Sequence, residues 1–223
     1  MRRILFFLIF GLSGLSVLLS LGFWQVRRLE WKNQILAEIE ARISQPPVSL
    51  PASPDPNTDR FLPVAVHGQM QPEEIHVLVS VKKVGPGYRV ISPFIGDDGR
   101  RILVDRGFVS TDGKQAERVS GSMEVTGNLH WPQEIDSFTP DPDLEGNIWF
   151  AREVTMMAKA LDTEPVLVIA KSETDPTVTP LPVDTSVIPN DHWQYAVTWF
   201  GLALVWAAMT LYFLWRPGVR PKS

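Results

Sequence analysis

Two long apolar runs stand at opposite ends of the chain, and a polar stretch patterned like strands lies between them. Ile4 to Phe23 contains no charged residue, and Tyr195 to Trp215 repeats the pattern. At about 1.5 Å of rise per residue, either run crosses a hydrocarbon core of roughly 30 Å. Helical periodicity continues past the first run to Ile43, with Leu29, Leu36 and Ile43 spaced by sevens, which predicts an amphipathic extension of the first helix. Pro46, Pro47, Pro51, Pro54 and Pro56 end that extension and predict a stiff, extended linker through Asp59.

From Phe61 onward the pattern changes to short runs rich in Val and Ile, punctuated by Gly, Pro and Asp. Strands are predicted at Val64 to Met70, Ile75 to Val81, Tyr88 to Phe94, Arg101 to Val109 and Glu124 to Trp131. Gly96-Asp97-Asp98-Gly99 predicts a hairpin, because Gly and Asp tolerate the positive φ of such turns. A short helix at Val154 to Leu161 and a strand at Val166 to Ala170 follow, and Pro176 to Pro189 forms a second extended connector.

The expected division is a tip at 1–3, a span at 4–23, an amphipathic helix and proline-rich linker at 24–59, a β-rich domain with its connector at 60–191, a span at 192–215 and a tail at 216–223. The fold class is a membrane protein with two transmembrane α-helices flanking a mainly antiparallel β (α+β) extramembrane domain, either a small sheet or an open barrel.

Charge sets the expected orientation. Arg2, Arg3, Arg216, Arg220 and Lys222 occupy the two tips, leaving 16 basic against 25 acidic residues between the spans, a net charge of −9. Basic residues beside spans stay cytoplasmic while long loops cross regardless of charge, so both termini are expected in the cytoplasm and the acidic domain outside. Arg27, Arg28 and Lys32 pull the other way, with Glu30 offsetting one of them. A cleaved signal peptide competes for the first run, since Ser20-Leu21-Gly22 imitates a cleavage site, but the run is long and bulky Phe23-Trp24 suits an aromatic interface belt. The short N-terminal tip leaves no room for a transit peptide, which favours a bacterial plasma (inner) membrane.

The chain has no cysteine, which excludes disulfides, thiolate metal sites and covalent haem attachment. An acidic external domain has no footprint for nucleic acid. His67, His76 and His130 fall in predicted strands without metal-ligand spacing and read as surface or edge-strand residues. Asp141-x-Asp143-x-Glu145-Gly146 begins like a calcium loop, but Arg152 stands where a bidentate Glu is needed, so it reads as an acidic turn. Gly85-Pro86-Gly87 reads as a tight turn. Asp105 and Arg106 interrupt an apolar strand, which fits an ion pair at a sheet edge or a docking surface.

His192 is singled out by position. Asn190 or Asp191 serves as a helix N-cap, placing His192 in the first turn of the second span. The helix N-terminus disfavours imidazolium, and a neutral imidazole is what haem iron requires. Tyr195 or Ala196, Trp199, Leu202 and Trp206 follow at helical spacing and could flank a flat macrocycle. On residue chemistry alone the plainer reading is that His192, Trp193, Tyr195 and Trp199 form an interfacial aromatic belt.

Four blocks together resemble one family. Leu21-Gly22-Phe23-Trp24-Gln25-Val26-Arg27-Arg28-Leu29-Glu30-Trp31-Lys32 resembles the signature L-G-x-W-Q-x-x-R-x-x-W-K of the surfeit locus protein 1 family, assembly factors for cytochrome c oxidase. The segments Gly85 to Phe94, Ile102 to Val109 and Pro189 to Phe200 agree in the same order. Departures are Asp105 where the family has Asn and Phe108 where it has Trp.

The resemblance implies a non-enzymatic factor in the plasma membrane with a periplasmic domain, helping to mature oxidase subunit I by handling haem a received from haem a synthase. It implies that His192 is the axial ligand to haem iron, with Tyr195 and Trp199 lining the site. Trp24, Gln25, Arg28, Trp31 and Arg106 become candidates for partner binding. The alternative is a haem-free scaffold that holds subunit I through the β domain and Arg106. A membrane hydrolase is poorly supported, because no Ser, His and acid set stands at a recognisable spacing.

Overall fold

The computed structural model describes residues 2–185 and 188–215. The expected tail at 216–223, with Arg216, Arg220 and Lys222, lies outside the described residues. The chain forms two compact units, one made of the terminal segments and the other of Ile39–Asp184.

The terminal unit is a helix pair. Helix α1 runs unbroken over Arg2–Ile43, its last residues entering the second unit, and helix α3 covers His192–Trp215. Both helices are long and apolar enough to cross a membrane. Helices in lipid gain little from burying apolar surface, so they associate through close packing at small residues. That is what α1 supplies. A side-chain carbon at Gly22 would stand 2.7 Å from the Phe200 ring, one at Gly14 would stand 2.5 Å from the Trp206 indole, and Gly11 lies against Thr210. Ser20-Leu21-Gly22 is thus continuous helix, with Gly22 packed on α3.

The second unit is a barrel with one covering helix. Its strands are β1 (Val48–Ser49), β2 (Pro63–Met70), β3 (Ile75–Val81), β4 (Gly85–Gly96), β5 (Arg101–Ser110), β6 (Gly121–Leu129) and β7 (Leu167–Ala170), and α2 is Val154–Ala160. The sheet order is β1-β2-β6-β7-β5-β4-β3, and an extra pairing of β2 with β4 closes β2, β6, β7, β5 and β4 into a ring. The expected sheet or open barrel is therefore a closed one. Closure joins Gly68, Gln69 and Met70 to Gly96, Ile95 and Phe94. All neighbours are antiparallel except β5 with β7 and β1 with β2. The linker expected to be extended throughout contributes β1, which pairs with Val64 and Ala65.

Alternation along the strands fills two cores. Val64, Val66, Met70, Phe94, Ile102, Val104, Val125, Leu129 and Val168 form one cluster. Leu103, Ile91, Ile75, Val77, Leu167 and Ile169 point to the opposite face, where Val154, Met157 and Ala158 of α2 cover them with Trp149. Each fully buried large side chain of this kind contributes about 1.5–3 kcal/mol. Glu153 caps α2, its carboxylate accepting from the Thr155 and Met156 amides. The hairpin at 96–99 forms as expected, with Gly99 at φ 80° and the Gly96 amide donating to the Arg100 carbonyl at 2.9 Å.

Strand β5 places its charged pair differently from the expectation. It is interior to the sheet, and Asp105 and Arg106 are both buried within it, at 0% and 1% exposure. They form neither an edge pair nor a docking surface. Asp105 accepts from Arg89 at 2.7 Å and from Arg152 at 3.3 Å. Arg106 donates to the Val119 carbonyl at 2.8 Å and the Thr174 carbonyl at 3.1 Å, and faces Asp175.

Candidate functional site

Among the described residues no group of three or more His, Cys, Asp or Glu side chains is placed to hold a metal ion. The three domain histidines have other surroundings. His67 is exposed beside Glu124. His76 lies on edge strand β3 but is buried, with Nε2 on Glu74 at 2.9 Å and Nδ1 on Asn147 at 3.2 Å, so both ring nitrogens are taken. His130 follows β6 and stacks on Phe61, and burial together with the charges of Arg152 and Arg60 pushes its pKa down to about 4. The calcium-like stretch is a turn closed by Asp143, which accepts from the Gly146 amide.

His192 opens α3, and the Asp191 carbonyl accepts from the Tyr195 amide, the first bond of the helix. Asn190 does not cap with its side chain; its amide donates to Asn33 of α1 at 2.8 Å. Lys32 donates to the Pro189 carbonyl. Gln25, seven residues before Lys32 and so on the same face of α1, places its side-chain oxygen 2.8 Å from His192 Nδ1. An amide oxygen can only accept, so the contact as placed calls for a proton on Nδ1, and in a neutral ring that arrangement leaves the lone pair on Nε2. Lys32, Asn33 and Gln25 of α1 thereby hold Pro189, Asn190 and His192 at the entry to α3.

The two flanks of His192 differ. Ala196, Phe200 and Ala203 turn toward α1; the two alanines are buried and Phe200 packs edge-on against Phe23. Tyr195, Trp199 and Leu202 lie on the other flank, with Tyr195 56% exposed and Trp199 half-buried. Trp206, expected among the macrocycle-flanking residues, instead packs on α1 and donates to the Gly11 carbonyl at 2.9 Å. His192, Tyr195 and Trp199 thus follow one another at helical spacing on one flank, and among the described residues Nε2 of His192 has no hydrogen-bond partner.

The residues grouped as partner candidates separate. Gln25 is buried at 8% exposure and serves His192. Trp24 and Trp31 are exposed on α1, and the Arg28 guanidinium stacks over the Trp31 ring at 3.9 Å. Arg106 is inside the barrel domain. The pairing of Gln25 with His192 has no signal in spacing, since 167 residues separate them.

Two terminal helices fit to span a bilayer, a closed β-barrel domain between them in the chain, and a histidine at the start of the second helix define a class of β-barrel domain proteins with an apolar helix at each end. The chain belongs to the SURF1 family, whose model matches residues 13–204. It is 30% identical to surfeit locus protein 1 of Rattus norvegicus over 90% of this chain and 72% of that protein. A SURF1-like protein of Monosiga brevicollis is 32% identical over 93% of this chain and 87% of its own length. A SURF1-like protein of the bacterium Rickettsia felis is 29% identical over 92% and 94%.

Proposed function

We propose that this protein is an assembly factor for cytochrome c oxidase that binds haem a through His192 and helps to mature subunit I. The observation that carries the reading is the contact of Gln25 with His192 Nδ1, which leaves Nε2 without a partner among the described residues, on the flank that bears Tyr195 and Trp199. Haem iron takes a neutral imidazole as axial ligand, and aromatic rings supply apolar contact to a flat macrocycle. Haem a is cargo, received from its synthase and passed on, so one protein ligand suits release better than a closed two-ligand site. The charge pattern supports a bacterial inner membrane with both termini cytoplasmic and the barrel domain periplasmic.

The test is to purify the full chain in detergent from cells that make haem a and to record the visible spectrum. A bound-haem band that vanishes in His192→Ala is the expected result. A haem-free wild type that still associates with the oxidase would sink the delivery reading.

That second outcome would favour a haem-free scaffold for subunit I. The exposed Trp24 and the Arg28–Trp31 stack on α1 support it, as amphipathic groups suited to a partner surface or a headgroup layer.

A further inference from the structure

Resting on the haem reading above, we propose that Gln25 is a positioning residue that selects which nitrogen of His192 binds iron. A neutral imidazole has two tautomers of similar energy in water, and only the nitrogen without a proton can ligate a metal. Left to itself, His192 would present either. The Gln25 side-chain oxygen lies 2.8 Å from Nδ1 and accepts its proton's hydrogen bond, which leaves Nε2 as the ligating atom.

Gln25 is well suited to the role. Among the described residues it is the one buried polar side chain of α1, held where that helix meets α3. It lies one turn beyond Gly22, where α1 approaches α3 closely. On its other side, Lys32 on the Pro189 carbonyl and Asn33 on Asn190 pin the chain that enters α3. The acceptor is thus fixed from both directions. A neutral amide also has a chemical consequence that a carboxylate would not. It orients the ring without pulling the Nδ1 proton strongly, so the imidazole stays a moderate donor to iron. Moderate donation suits a site that must give up its cargo.

Two measurements test the assignment, one independent of haem. With histidine labelled by ¹⁵N in the haem-free full chain, and His192 identified by the signal lost in His192→Ala, the wild type should show a protonated Nδ1 and an unprotonated Nε2. Gln25→Leu should show a mixture of tautomers. A wild type protonated at Nε2 overturns the proposal whether or not haem binds. In haem-loaded protein, Gln25→Leu should weaken haem binding about 10- to 100-fold. Gln25→Glu should retain the band and lower the reduction potential of the bound haem, because a carboxylate makes the ring a stronger donor. Unchanged potentials and affinities in both variants would also overturn it. A wild type with the Nδ1–H tautomer and no affinity for haem would end the haem reading while upholding Gln25 as the residue that sets the tautomer.

Discussion

Asp105 and Arg106 are adjacent in the chain and hold different segments of the domain. Asp105 meets Arg89 and Arg152, while Arg106 meets Thr174, Val119 and Asp175. Val90 pairs with Gly107 and Ile91 with Asp105, so Arg106 is the extra residue of a β-bulge. A single strand thus ties down two separate segments.

Removing the carboxylate at 105 leaves two guanidinium groups without their shared acceptor. Breaking a buried pair from one side costs about 3–5 kcal/mol. Asp105→Ala should destabilise the protein by about that amount in denaturant unfolding of the detergent-solubilised chain. Asp105→Asn keeps an acceptor and should cost about half as much. Equal stability of Asp105→Ala and wild type would mean that the partners the two arginines keep, Glu134 for Arg152 and the Leu181 carbonyl for Arg89, suffice for both guanidinium groups.

The bulge itself depends on Gly107, which sits at φ 123°, a conformation closed to L side chains. A side-chain carbon there would also run into the Thr179 carbonyl, which accepts from Phe108 at 2.7 Å. Gly107→Ala should therefore lose about 2 kcal/mol or more. Hydrogen exchange localises the effect: the Phe108 and Thr179 amides should lose protection first.

How much of this was legible depends on how local the cause is. The two spans, most of the strands from Pro63 to Ser110 and the 96–99 hairpin follow from apolar run length, alternation and turn chemistry, all short-range signals, whereas Gly85-Pro86-Gly87, expected as a tight turn, opens strand β4 and pairs with β3. Barrel closure does not, because it rests on a brief contact of β2 with β4 in which Gly68 and Gly96 allow close approach. The burial of Asp105 and Arg106 was hidden because Arg152 and Thr174 lie far along the chain. His192 was legible by its place in the first turn of a span; its partner Gln25 was visible only as part of a family signature, with no indication of what it touches.

The helix pair offers a separate test of packing in an apolar medium. Trp206 combines shape, against Gly14, with a hydrogen bond to the Gly11 carbonyl. Hydrogen bonds between membrane helices are worth about 0.6 kcal/mol on average, so Trp206→Phe should weaken the pair only slightly. Gly14→Val drives a branched side chain into the indole and should cost about 1–3 kcal/mol. Unfolding in a graded series of sodium dodecyl sulfate should rank Gly14→Val well below Trp206→Phe. The reverse order would show that the hydrogen bond, not the glycine contact, holds the helices.

Acid should weaken the fold through His130. His130 is pushed down to about 4 by burial and by the nearby charges of Arg152, Arg60 and Arg89, against 6.5 for a free histidine. The unfolded chain therefore takes up a proton at this site as pH falls below about 6.5, while the folded chain does not until about 4. With more protons on the unfolded state in that window, stability rises with pH across it. The contribution is complete above the unfolded value and is lost as pH falls toward the folded one. A gap of this size corresponds to at most about 3 kcal/mol, and less where water reaches the ring. Replacing the imidazole by an apolar ring of similar stacking, in His130→Phe, removes the titration while keeping the contact with Phe61. Melting temperatures measured between pH 4 and 7 should then fall less steeply toward acid in the variant than in the wild type. Parallel curves would show that His130 takes its proton equally in both states, and that the three arginines around it are screened or displaced in solution.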